Sequence, residues 1–391
     1  MRIADLRTIQ LACRNPDGRR WRWSGGYFDS WSSVFVQVVA DDGTTGVGEV
    51  YQGACVRAAV APFVDFFRRW LVGEDPLQPE RLWQKLYDHS VFWNRHGYPI
   101  GVLGAIDIAL HDLAGKALGV PVYELLGGAR QQRLRVYYSA GCCESPEEFV
   151  VEVRHAISQN FTAYKWRVLD PANAARSMKK LREAVGNRFE LMVDAVQGSS
   201  PSPWSKAQVI ELAMAIEECG PCWLEEPFRI EDPAAYAELR RMVSYPIAGG
   251  ESLTSVAELK AYLSADALDI FQPDLSVAGG FTLTKRLAAL AEDRGVKIAM
   301  HSWAGAPALM ANLHFAFAHP NCLWLECCQY PNPLRDRFLV EPLEIQDGCV
   351  APPTSPGLGV RLTEELIQEY SFIGSTQEGL VFGKEESENV I

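Results

Sequence analysis

One pattern recurs between Lys165 and Glu326. A short apolar run, rich in β-branched and aromatic residues, stops abruptly on a charged or polar residue, and a helical segment follows. The runs end in Tyr164-Lys165-Trp166-Arg167, Leu191-Met192-Val193-Asp194, Trp223-Leu224-Glu225-Glu226, Ala248-Gly249-Gly250-Glu251, Ile270-Phe271-Gln272-Pro273-Asp274, Ile298-Ala299-Met300-His301 and Leu323-Trp324-Leu325-Glu326. Steps of about 23 to 31 residues match one strand–helix unit of a parallel α/β barrel. Such a barrel collects one ionisable group per strand end into a ring. Arg135-Val136-Tyr137-Tyr138-Ser139 reads as a further strand ahead of these. Ser145-Pro146 then opens a helix, with Ser as cap and Pro in its first position.

The chain before this stretch has a different texture. Residues 1 to about 55 read as a β-meander, with strands over Trp31 to Asp41 and up to Glu49, joined by Asp41-Asp42-Gly43. Ahead of Trp31 lies a loop crowded with Arg19, Arg20, Trp21, Arg22, Trp23, Tyr27 and Phe28, which reads as a lid over a pocket. Ala58 to Leu126 is helical, and Gly101 to Leu118 is its longest helix. The chain therefore divides at 1–130, 131–345 and 346–391, the last piece Pro-rich and expected to pack back on the first. Glu385 to Ile391 reads as a frayed end.

At 391 residues and 48% hydrophobic, the chain has enough apolar material for a large core. Its formal charge of −12 argues against nucleic acid or an anionic membrane as the main partner. No apolar run approaches the roughly 18 residues of a membrane span, and Met1 to Arg7 lacks the shape of a signal peptide. Scattered cysteines, ten in all, point to reduced thiols and a cytoplasmic setting.

The ring has internal logic. Asp194, Glu225 and Glu251 follow consecutive strands. One acid at a strand end is usually solvated, but three converging carboxylates repel one another. A hard divalent cation resolves the repulsion, and all-oxygen ligation points to Mg²⁺. Lys165 and Arg167 stand two apart on one strand, so they share a face and suit an anionic substrate. Arg167 cannot act as a base; Lys165 can only if its proton is displaced. Asp274 and His301 end adjacent strands, and a carboxylate behind an imidazole makes a base. The other histidines (His89, His96, His111, His155, His314, His319) fall on helices or loops and read as structural. Cys219-Gly220-Pro221-Cys222 imitates a redox motif but follows a helix instead of starting one, at the wrong end of the barrel. Cys142-Cys143 and Cys327-Cys328 read as packing residues near the rim.

These stretches, with Glu226-Pro227, Gly279-Gly280 and Met300-His301-Ser302, resemble the enolase superfamily, and within it the mandelate racemase subgroup. The resemblance covers essentially the whole chain. It implies a modified (β/α)7β barrel under an N-terminal α+β capping domain completed by the C-terminal tail. It also implies a Mg²⁺ site at Asp194, Glu225 and Glu251, with Mn²⁺ as a possible substitute and Glu226 behind the ligands. His301 with Asp274 would be the base dyad, and Glu326 a protonated donor to the substrate. The aromatic loop with Trp23 and Tyr27, the loop at Tyr51-Gln52-Gly53, and Trp303 would set specificity. Relatives commonly form dimers or octamers. Two departures stand out: the family's Lys-x-Lys is here Lys165-x-Arg167, and a polar position after the first ligand is Val196. With Arg167 a poor base, one-faced elimination from an acid sugar is expected over two-base racemisation; racemase, epimerase or cycloisomerase is the alternative.

Overall fold

The computed structural model describes residues 1–372 and 380–382. The expected fray at Glu385 to Ile391 lies outside them. The chain begins with β1 (Ile3–Arg14), the short hairpin strands β2 (Trp21–Trp23) and β3 (Gly26–Phe28), then β4 (Ser30–Ala40) and β5 (Thr45–Val50). Strands β1, β4 and β5 form an antiparallel meander. The hairpin β2–β3 is inserted into it as a separate flap, where sequence reading expected only a loop. Its two strands are three residues each, too short for alternating burial to stand out in the sequence.

Helices α1 (Val60–Leu71), α2 (Pro79–Ser90), α3 (Tyr98–Leu118) and α4 (Val122–Leu125) pack against the meander. α3 is apolar on nearly every side and is buried from Ile100 to Gly115. A helix with no polar face has to sit in the middle of a core. It starts three residues earlier than expected because Pro99 suits a first turn.

The barrel then alternates strictly. Its first half is β6 (Leu134–Ser139), α5 (Pro146–Ser158), β7 (Ala163–Arg167), α6 (Pro171–Val185), β8 (Glu190–Asp194), α7 (Lys206–Ile216), β9 (Trp223–Glu225) and α8 (Pro233–Arg240). The second is β10 (Ile247–Gly249), α9 (Val256–Ala265), β11 (Ile270–Phe271), α10 (Gly280–Asp293), β12 (Lys297–Met300), α11 (Ala306–Ala318) and β13 (Cys322–Cys328). The eight strands are parallel, and β13 pairs with β6 to close the ring. Seven helices for eight strands make this a (β/α)7β barrel. α5 starts as expected, with the Ser145 hydroxyl accepting from the Glu148 amide.

The tail carries α12 (Pro333–Asp336), β14 (Cys349–Val350), α13 (Glu364–Glu369) and β15 (Leu380–Phe382). It returns to the first residues of the chain: Ala12 donates to the Tyr370 carbonyl and Phe372 to the Gln10 carbonyl. β15 adds a third, antiparallel strand to the flap. Among the described residues no helix is long and apolar enough to cross a membrane.

Inside the barrel each strand contributes one residue to a buried layer: Tyr137, Ala163, Met192, Trp223, Ala248, Ile270, Ala299 and Trp324. Successive inward side chains on a strand are two residues apart. Two positions further along the strands therefore lie Ser139, Lys165, Asp194, Glu225, Gly250, Gln272, His301 and Glu326. The plug of apolar side chains is the floor on which this polar ring stands.

Candidate active site

Lys165 is fully buried at the centre of the ring. Its ammonium lies 2.5 Å from Glu225 Oε1, 3.0 Å from Glu326 Oε1 and 3.4 Å from Asp194 Oδ2. Burial alone would strip its proton, but Glu225, Glu326 and Asp194 outweigh that and hold its pKa well above the usual lysine value. Lys165 stands here as an ammonium between three carboxylates.

Arg167 points the same way, one layer higher. Its guanidinium donates to the Ala140 carbonyl and to Ser139 Oγ, and stands 3.6 Å from Glu326 and 3.8 Å from Asp194. The Trp303 ring covers it, 4.0 Å from centroid to Cζ.

His301 Nδ1 is 2.9 Å from Asp274 Oδ2, while Nε2 faces Glu251 at 3.4 Å and Glu326 at 3.6 Å. Asp274 is itself tied down: its Oδ1 accepts from the Ser276 amide and hydroxyl and from Asn312 Nδ2. Burial would lower the imidazole pKa, but Glu251, Glu326 and Asp274 raise it to about 10. With these three carboxylates ionised, His301 carries a proton on each ring nitrogen.

The resemblance leads one to expect a protonated Glu326; its surroundings in the fold favour the charged form. Burial favours its neutral form, yet Lys165, His301 and Arg167 surround it, and the Ser139 hydroxyl and Ser302 amide donate to it. Together they hold its pKa below the ordinary carboxylate value, and it accepts both of these hydrogen bonds. Along the sequence Glu326 is one acid among many; the three cations converge on it only from other strands.

Asp194, Glu225 and Glu251 have hard oxygen donors, no thiol or imidazole among them, which fits Mg²⁺ or Mn²⁺ in chemistry. Burial raises all three. Each is raised further by another of the set: Asp194 by Glu251, Glu225 by Asp194, and Glu251 by Glu225. A divalent cation relieves that repulsion. As placed, Glu225 is engaged by Lys165 and by Trp223 Nε1, and Glu251 by His301. Among the described residues no three His, Cys, Asp or Glu side chains close into a preformed metal cage. Glu226 lies buried behind them with left-handed backbone (φ 43°), and its Oε1 has no hydrogen-bond partner.

The cleft above is lined by Trp23, Phe28, Tyr51, Cys142, Arg167, Asp194, Val196, Ser199, Glu251, His301 and Trp303. The flap is closed over it: Ser24 at the tip donates to the Ala195 carbonyl and accepts from Gln197 Nε2. Tyr27 does not line the cleft. Strand alternation sends Phe28 inward and Tyr27 outward, under the Arg20 guanidinium at 4.4 Å. Tyr51 sits edge-on to His301, with ring centroids 5.8 Å apart.

Residues 9–127 match the mandelate racemase / muconate lactonizing enzyme N-terminal domain, and residues 148–366 the enolase C-terminal domain-like family. The chain belongs to the mandelate racemase / muconate lactonizing enzyme family. It is 33% identical over 356 residues to a D-galactarolactone cycloisomerase of Agrobacterium fabrum, covering 88% of this chain and 92% of that one. It is 34% identical over 359 residues to a D-galactonate dehydratase of Ralstonia nicotianae, covering 86% and 91%. The solved structure of a racemase from Streptomyces coelicolor with bound magnesium superposes with a TM-score of 0.83 at 28% identity, covering 95% and 100%. The family thus spans three outcomes around one fold.

Ser139 belongs to the ring by the same two-residue rule that selects Lys165 and Glu326, a signal present but unused. Cys142 was taken as packing, yet it borders the cleft near Arg167, its thiol pushed up to about 11 by burial. Cys219 and Cys222 lie before β9 at the opposite end of the barrel, where burial raises both thiols.

Proposed function

We propose that the chain is a divalent-cation-dependent hydro-lyase. It removes the proton α to the carboxylate of an aldonate or aldarate and expels the β-hydroxyl, giving a 2-keto-3-deoxy acid. One observation carries the reading: of the ring's basic groups, His301 borders the cleft with Nδ1 held by Asp274, whereas Lys165 is buried beneath the cleft and Arg167 is a guanidinium that does not give up its proton. Two-faced racemisation needs a second base. Elimination needs one.

In this reading Arg167 and Lys165 orient the substrate carboxylate. Asp194, Glu225 and Glu251 hold Mg²⁺ or Mn²⁺. When bound, the cation supplies positive charge to the developing enediolate and offsets the carboxylates that keep His301 protonated. Neutral His301 takes the C2 proton at Nε2, while Asp274 holds the Nδ1 proton. The electron pair left on C2 forms the C2–C3 double bond as the C3–O bond breaks. His301, now an imidazolium, returns the proton to that leaving oxygen, which departs as water. The enol product tautomerises to the keto acid. Ionised Glu326 accepts from a substrate hydroxyl, and Trp23, Phe28 and Trp303 exclude bulk water.

Elimination of a ring oxygen by the same base is the second reading, favoured by the identity to a D-galactarolactone cycloisomerase. Incubating the protein with Mg²⁺ and a library of aldonic, aldaric and lactone acids separates the two. A positive keto-acid reagent with loss of one water by mass supports dehydration. A positive keto-acid reagent with unchanged mass supports cycloisomerisation. Silence from every acid, with racemisation or deuterium exchange of another carboxylate instead, overturns both.

A further inference from the structure

Glu49 is the penultimate residue of β5 and is buried at the seam between cap and barrel, 1% exposed. It does not border the cleft. Its carboxylate takes three hydrogen bonds. Ser33 Oγ of the cap donates at 2.5 Å, and two barrel amides donate from the start of α11: Gly305 at 2.9 Å and Ala308 at 3.1 Å. The first amides of a helix have no partners within it and favour an anion. α11 has no cap of its own, because its N-cap residue is Gly305. The glycine is required for the approach. A Cβ there would lie 2.9 and 3.0 Å from the two Glu49 oxygens.

α11 is the element behind the base. Asn312, fully buried on it, donates to the His301 carbonyl at 2.9 Å and to Asp274 Oδ1 at 3.1 Å, and accepts from the Leu275 amide. The five residues from His301 to Gly305 join β12 to α11. They carry the imidazole, the Ser302 amide that donates to Glu326, and the Trp303 ring over Arg167. This loop is fixed at its start by Asn312 and at its end by Glu49.

We infer that Glu49 is a positioning residue: a carboxylate of the capping domain that caps α11 from outside and thereby sets the His301–Asp274 pair and the Trp303 shelf. The inference rests on His301 being the base, but part of its test does not depend on the reaction.

The variant is Glu49→Gln, which keeps the shape and turns an amide against the Gly305 and Ala308 donors. The control is Ser145→Ala, which removes the cap of α5, remote from the dyad. Proton NMR of the His301 Nδ1–H, assigned by its absence in His301→Asn, is read first. It should shift or vanish in Glu49→Gln and stay in place in Ser145→Ala. On whichever carboxylate is turned over, kcat should fall about 10- to 100-fold with KM within about threefold. If Glu49→Gln does not fold, Ser33→Ala removes one donor only and should move the same signal, with kcat down about two- to fivefold. A Glu49→Gln protein whose Tm falls like that of Ser145→Ala, while the His301 signal and kcat are unchanged, overturns the inference. So does an unchanged signal in Ser33→Ala. A moved signal with no turnover of any carboxylate, even by the parent, supports the positioning and overturns the proposed reaction instead.

Discussion

The Arg167 guanidinium lies over the Trp303 ring, its Cζ 4.0 Å from the centroid, and its nitrogens stand 3.6 Å from Glu326 and 3.8 Å from Asp194. Planarity lets one group stack, donate to Ala140 and still face a substrate carboxylate. An ammonium does only the last. Arg167→Lys should lower kcat/KM by about 10- to 100-fold, mostly through KM, despite the conserved charge. Trp303→Ala should raise KM about five- to tenfold, the worth of a part-buried cation–π contact. Steady-state kinetics on the accepted acid checks both.

His301 has its tautomer fixed by Asp274. His301→Asn should cut kcat by about 10²- to 10⁴-fold, the usual worth of a general base. Asp274→Asn should cost less, because the imidazole stays present while its orientation degrades. Thermal shift on adding Mg²⁺ should persist in both variants, since neither residue belongs to the carboxylate set.

Chelation should abolish turnover, and Mg²⁺ or Mn²⁺ should restore it. The parent's Tm should rise with cation concentration, by about 2.7 kcal/mol of added stability at a hundredfold excess over Kd. Asp194→Asn should blunt this rise. A Tm in the parent that ignores Mg²⁺ up to millimolar levels would count against the carboxylate set as a metal site.

Glu49 has its carboxyl raised to about 7 by burial, against the hydrogen bonds it accepts. A raised folded pKa means that the folded state holds the proton more tightly than the unfolded chain. The stability this contributes is full below the unfolded value near 4.5 and is lost as pH rises through about 7. The loss amounts to about 3 kcal/mol across that window. Urea midpoints at pH 5 and pH 8 should converge for Glu49→Gln more than for the parent.

Cys219→Ser with Cys222→Ser should leave kcat and KM within about twofold. Both thiols are raised by burial, and Cys222 donates to Glu190 at the far end of the barrel. Loss of activity in the double variant would revive a thiol role.

Much of the architecture was legible because its signal is local. Each strand reads as a few apolar residues with a polar stop, and each helix as a cap and a periodic face; Ser145-Pro146 alone fixed the start of α5. Two-residue alternation puts Lys165 and Arg167 on one face of β7, and the polar stops of consecutive strands put Asp194 beside Glu225. The flap escaped notice because strands of three residues carry too little pattern, and part of its stability comes from β15, more than 350 residues away.

Charge states were not legible at all. Glu326 reads in sequence as one more acid, and whether it is protonated depends on Lys165, Arg167 and His301 arriving from other strands. Tyr27 and Phe28 are adjacent and equally aromatic, and only the flap's twist says which faces the cleft. Glu49 sits within an ordinary-looking strand; its partners, Gly305 and Ala308, are met only when cap and barrel dock. Sequence determines which groups stand at strand ends, because backbone periodicity is a property of neighbours along the chain. The fold alone decides which of those groups hold protons and which hold each other, because desolvation and Coulomb forces act through space.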